Sequence, residues 1–161
     1  MADIKFHVQE REINFEELVE ELVAFIHKKP ECEYRIVVGT DSKPDRRVRF
    51  VTSVAIVRVG NGGRYFWTRS EEMPLPTLRD RIFKEAMYSI TFTQELRSRL
   101  KDKIGEEFFW DRKISVHLDV GVNGATKDLV DGVVGMVRGY GFEAVIKPDS
   151  FGAFVLADRH T

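Results

Sequence analysis

The sequence predicts an α/β fold: a five-stranded mixed sheet with helices on both faces and one further helix ahead of it. Three observations carry this reading. Short β-rich runs and amphipathic helical stretches follow one another in the order α, βββ, α, β, α, β, α. Only short polar turns separate the first three strands, so these form an antiparallel meander. The last two strands are each reached through a helix, which demands parallel pairing.

The first helix is expected over 15–28. Asn14 caps it, and Glu17, three residues on, completes a capping box. Leu18, Leu22, Phe25 and Ile26 form one apolar stripe, and Pro30 ends the helix. A short strand follows over 35–39 (RIVVG) and runs into Thr40, Asp41 and Ser42. After a polar turn with Pro44 and Asp45 comes a long strand over 47–59. Its middle is apolar on both parities, as in a strand covered on both faces. Gly60, Asn61, Gly62 and Gly63 make a hairpin turn, and residues 65–70 return as the third strand.

Pro74 and Pro76 interrupt the pattern. Thr77 then caps a long helix, with Asp80 in the capping-box position. Leu78, Ile82, Ala86, Ile90, Leu96 and Leu100 share one side, and Gly105 stops the helix near residue 103. A fourth strand is expected over 113–120 (KISVHLDV), a helix over 125–140 closed by Gly141, a fifth strand over 142–147 and a terminal helix over 151–160. The chain divides into an N-terminal helical extension, 1–32, and a single core domain, 33–161.

Composition narrows the classes. The 161 residues are 43% hydrophobic, enough for a core and too apolar for disorder. The net charge of −1 argues against a basic glove around duplex nucleic acid, so any such contact is a local patch. Cys32 is the single cysteine, which removes internal disulfides and cysteine zinc clusters. The first ten residues hold Asp3, Lys5 and Glu10 with no apolar stretch, and no later run is long enough to span a bilayer. The expected location is the cytoplasm, with no membrane partner and no indicated oligomer.

The chemistry lies in the carboxylates. Asp41 follows the first strand, and Asp119 ends the fourth. Ligands of open α/β sheets bind beyond the carboxyl ends of strands. If these strands are neighbours, their ends lie about 5 Å apart. Either residue alone reads as a turn-forming Asp. On the long helix, Glu85 falls about 20° from both Leu78 and Leu96, an acid at the edge of an apolar face. Asp80 and Glu95 point away from that stripe. In the terminal helix Phe151, Phe154, Val155 and Asp158 follow i, i+3, i+4, i+7, which turns Asp158 inward. Four converging carboxylates suit Mg²⁺ or Mn²⁺. Asp149, in KPDS, is a fifth metal candidate, ranked lower because Asp-Ser before a helix is an ordinary cap.

The segments VGTDSK (38–43), HLDVG (117–121), GFEAVIKPDS (141–150) and ADRHT (157–161) resemble the YkuK-like family of ribonuclease H-like proteins, in order and spacing as well as letters. The likeness runs from about residue 35 to the C-terminus. It implies a ribonuclease H-like fold with sheet order 3-2-1-4-5. It also implies site carboxylates on the first strand, first core helix, fourth strand and final helix. Those places hold Asp41, Glu85, Asp119 and Asp158, the first and third matched by motif and the other two by position. Lys43 stands where the family often has Gln.

Other features carry less. Lys43, Arg46, Arg47 and Arg49 read equally as a phosphate-binding patch, which makes Lys43, Arg46 and Arg47 candidate nucleic-acid contacts, or as charge guarding an edge hairpin. Arg79, Arg81 and Lys84 fit an ordinary amphipathic surface. His117 shares a strand face with Asp119 and reads first as a core histidine; His160 reads as a surface one. Tyr65, Phe66 and Trp67 suit the core better than base stacking. Gly132, Gly135 and Gly139 suit close packing within the molecule.

The function this predicts is a metal-dependent nuclease or phosphodiesterase on RNA, DNA or a hybrid. Asp41, Glu85, Asp119 and Asp158 would hold two divalent ions, Mg²⁺ or Mn²⁺, that activate water and stabilise the leaving oxygen. Cys32 has no activating partner and suggests no covalent route. The alternative is a non-catalytic nucleic-acid- or protein-binding module on the same fold. A nucleotide phosphotransferase is disfavoured, since there is no Gly-rich phosphate loop followed by Lys-Ser/Thr.

Overall fold

Asn14 and Glu17 cap as their spacing predicts. In the computed structural model, which describes residues 1, 3–109 and 114–150, the Asn14 side chain accepts from the Glu17 N–H and the Glu17 carboxylate accepts from the Asn14 N–H. They start helix α1, Phe15–Lys28, whose inner face is Leu18, Val19, Leu22 and Ile26. The chain enters α1 from two strands absent from the sequence reading: β1, Phe6–Val8, and β2, Arg11–Ile13. Their two-residue turn places Gln9 at φ 53°, a conformation usually given to Gly or Asn.

The core strands follow. β3 (Tyr34–Asp41) pairs antiparallel with β5 (Val51–Arg58), and β5 with β6 (Gly63–Arg69). β3 also pairs parallel with β8 (Ile114–His117), which pairs parallel with β9 (Glu143–Val145). Phe6–Val8 joins the outer edge of β6. Among the described residues the sheet therefore has seven strands in the order β2-β1-β6-β5-β3-β8-β9, not five, because the N-terminal hairpin extends it. From Tyr34 onward its strands lie third, second, first, fourth, fifth.

The long strand expected over 47–59 is broken. Arg47–Val48 (β4) leaves the main sheet and pairs with Met73–Pro74 (β7) in a two-stranded ribbon. At the break the Phe50 N–H donates to Ser70 Oγ instead of a ladder carbonyl.

Helix α2, Leu78–Ile104, is capped by Thr77, whose side chain accepts from the Asp80 N–H, and stops at Gly105 with φ 88°. Leu78 is exposed, and the apolar side starts at Ile82. Helix α3, Val130–Gly139, begins later than expected, after a 3-10 turn at Lys127–Leu129. Just before that turn, Thr126 Oγ1 accepts from the Gly121 N–H. Gly132 admits the Phe83 ring of α2, 3.3 Å from where a Cβ would stand.

Helices are expected on both faces, but among the described residues α1, α2 and α3 all lie on one, where alternate residues of the sheet (Ile36, Val38, Val54, Ile56, Phe66, Ile114, Val116, Leu118) are buried. Leu22, fully buried there, would cost about 2–5 kcal/mol on truncation to Ala. Buried Arg58 ties α1 to the sheet: its guanidinium lies 3.9 Å over the Phe25 ring and donates to Phe25 O. No helix among the described residues is long and apolar enough to cross a membrane. The terminal helix expected over 151–160, with Asp158 and His160, lies outside the described residues.

Candidate metal centre

β3 and β8 are parallel neighbours with Gly39 opposite His117. Two residues further on each chain stand Asp41 and Asp119. The register alone therefore sets these two carboxylates side by side, at the carboxyl ends of the strands.

Glu85 arrives from α2, two turns in from its start. Two polar ties fasten that helix over the end of β3. Ser89 Oγ and Thr40 Oγ1 lie 2.7 Å apart, and Ser42 Oγ donates to Glu85 Oε2 at 2.6 Å. Spaced i, i+4, Glu85 and Ser89 share one helix face and reach the same strand. Asp41, Glu85 and Asp119 each offer an oxygen within 4.8 Å of the others.

Burial sets the electrostatics. Glu85 is 4% exposed, and the loss of water pushes its pKa up from 4.5 to about 8. The Ser42 hydrogen bond opposes the rise, the charges of Asp41 and Asp119 add to it, and Arg81 lowers it. Without a cation, Glu85 thus carries a proton at neutral pH. Arg81, one turn earlier, donates to Ser42 O at 3.0 Å and braces the residue that holds Glu85.

Lys147 supplies the other local charge. Its ammonium meets Asp119 Oδ1 as an ion pair without hydrogen-bond alignment. The Lys147 backbone donates to Val120 O, and its stem lies against Gly121. Sequence reasoning missed Lys147; its place in GFEAVIKPDS, beside Asp149, was the available signal. His117 is half-buried; burial lowers its pKa, and Nδ1 has no hydrogen-bond partner among the described residues. With Thr40, Glu85 and Asp119 it lines a cavity of about 10 Å³, roughly one water in size.

The remaining candidates stand apart from this cluster. Asp149 is exposed in the turn after β9, outside the acidic group. Lys43, Arg46 and Arg47 are exposed. Glu72 lies 3.5 Å from Arg47 Nε and 3.4 Å from Arg49 Nε, which ties the basic stretch to the start of β7. Phe66 is core; Trp67 stacks on His7 at 4.1 Å, and Tyr65 is exposed.

Three converging carboxylates, Asp41 and Glu85 buried and Asp119 half-buried, form a hard-oxygen donor set that fits a divalent ion. Such an ion must displace the Glu85 proton and the Lys147 ammonium.

Two comparisons with known proteins found a match. A family model described as Ribonuclease H-like matches residues 17–161. The chain is 35% identical over 176 aligned positions to "Uncharacterized protein YkuK" of Bacillus subtilis (strain 168), covering 100% of this chain and 99% of the relative. No solved structure matches it.

Proposed function

The chain belongs to the YkuK-like family of ribonuclease H-like proteins, and from that premise we propose that it is a metal-dependent nuclease hydrolysing phosphodiester bonds of RNA, DNA or a hybrid. The observation that carries the reading is the meeting of Asp41, Glu85 and Asp119 from three separate elements within 4.8 Å. Asp158 is proposed as a fourth carboxylate.

These residues would hold Mg²⁺ or Mn²⁺, two ions in the full site, which supply a lowered water pKa and charge stabilisation at the leaving oxygen. The chain's own residues do the rest. β3 and β8 fix the two Asp carboxylates in register. α2 carries Glu85 over them, and Ser42, braced by Arg81, orients the Glu85 carboxylate. The apolar wall of Ile82, Ala86 and Val120 keeps bulk water from the inner side. Lys147, held over Gly121, keeps positive charge at the rim when Asp119 takes an ion. Lys43, Arg46 and Arg47 are proposed as phosphate contacts near the exit of β3.

Cleavage of labelled single-stranded, duplex and hybrid oligonucleotides with millimolar Mn²⁺ tests this. The parent should cut at least one of them, and Asp41→Asn with Asp119→Asn should cut none. A parent that binds nucleic acid but cuts nothing in any divalent ion would make it a binding module.

A further inference from the structure

A groove of about 450 Å³ opens beside the carboxylates, in the size range of a small-molecule site. Its apolar floor is Ile4, Phe50 and Tyr88. Phe50 is buried and stacks on Tyr88 with ring centroids 5.0 Å apart, which fixes the tyrosine ring. Tyr88 remains 36% exposed, so a rigid aromatic surface faces the groove. The groove adjoins the candidate centre. Thr52 lines it, and Thr52 Oγ1 lies 2.9 Å from Oγ1 of Thr40, which lines the carboxylate cavity. Tyr88 is also three residues after Glu85, about 4.5 Å along the axis of α2.

Charge decides what this groove takes. Lys5 and Arg69 line it, and exposed Lys84 stands one turn before Tyr88 on the same helix face, next to Glu85. Asp3 and Glu71 line it too, so the groove is nearly balanced. Phosphate attraction alone is then too weak to hold a duplex, whose base faces are hidden. A fixed aromatic ring with a few flanking cations instead matches an unpaired base with its neighbouring phosphates.

We propose that this groove binds an unpaired nucleotide next to the phosphate presented to Asp41, Glu85 and Asp119, which makes single-stranded nucleic acid the substrate class. The inference rests on the nuclease reading and narrows it.

Fluorescence anisotropy with Ca²⁺ in place of Mg²⁺ tests it on the full chain. The probes are a 12-nucleotide single strand, a blunt duplex of the same sequence, and a 12-nucleotide strand with every base removed. The parent should bind the intact strand about 5- to 150-fold more tightly than the abasic strand, the range of one base–aromatic stack. Its log–log salt slope should be no steeper than about −4, for the three cations here and the three proposed near the exit of β3. Tyr88→Ala should lose most of that preference and Tyr88→Phe should keep it. Tyr140→Ala, an exposed aromatic that lines no part of the groove, should bind as the parent does.

Equal binding of intact and abasic strands, tighter binding of the duplex, or no binding at all would each overturn the proposal. The parent's three probes decide even if Tyr88→Ala does not fold. A thermal shift with Mn²⁺ on the same samples separates the two claims. A Mn²⁺ shift without single-strand preference overturns the groove and spares the metal centre. Single-strand preference without a Mn²⁺ shift does the reverse.

Discussion

Glu85→Gln should remove the fall in stability that this buried carboxyl brings as pH rises. The Glu85 carboxyl ionises near 4.5 when unfolded and at about 8 when folded. The folded state therefore keeps a proton that the unfolded chain gives up. The stabilisation is fully present below pH 4.5, is lost as pH rises, and is exhausted near pH 8. Between those limits the loss is about 1.4 kcal/mol per pH unit, hence roughly 3 kcal/mol from pH 5.5 to 7.5. That is a large part of the 5–15 kcal/mol typical of a domain. Gln cannot ionise and has nearly the shape of the protonated acid. Urea denaturation in EDTA, run on both proteins every half pH unit, gives the difference directly, because other groups cancel between them. The variant should match the parent within about 1 kcal/mol at pH 5 and exceed it by several kcal/mol at pH 8. Parallel curves would refute the buried, protonated Glu85 and the charge crowding argued from Asp41 and Asp119.

Two further outcomes follow from the same charges. Because a divalent ion must expel the Glu85 proton, Mn²⁺ binding at pH 7 should release about one proton, read by calorimetry in buffers of different ionisation enthalpy. Glu85→Gln should release none, and equal release from both proteins would place the proton elsewhere. Lys147→Met removes the ammonium that competes for Asp119. With Lys147 half-exposed the pair is a weak one, so Mn²⁺ should bind about two- to five-fold more tightly. Weaker binding would mean that Lys147 supports the ion rather than displaces it.

Where local chemistry decides structure, the sequence was readable. Asn14 with Glu17, and Thr77 with Asp80, cap their helices because an acceptor and an N–H three residues on need nothing else from the fold. The phase of α2 turned Glu85 inward and Glu95 outward for the same reason, since helical period is local. Asp41 and Asp119 were legible from their strand ends, though their side-by-side register comes only from the pairing of β3 with β8.

Tertiary choices were not legible. The hairpin of β1 and β2 has three-residue strands, the second with Arg11 and Glu12 exposed, and turns on Gln9 without a Gly or Asn signal. The break at Phe50 depends on Ser70, twenty residues away, and on the Tyr88 ring. The Lys147–Asp119 ion pair joins residues that meet only after β8 and β9 align.

The central claim is that the carboxylates gathered at the ends of β3 and β8 are a metal-dependent cleavage site. The most direct measurement is the Mn²⁺-dependent cleavage rate of Glu85→Gln against Glu95→Gln, two changes of the same kind on one helix. Glu95 is exposed, so its variant should cut at the parent's rate. Loss of a site carboxylate removes several kcal/mol of transition-state stabilisation, so Glu85→Gln should be slower by at least about a hundredfold. Equal rates in the two variants would contradict the account and leave Glu85 as a packing residue only.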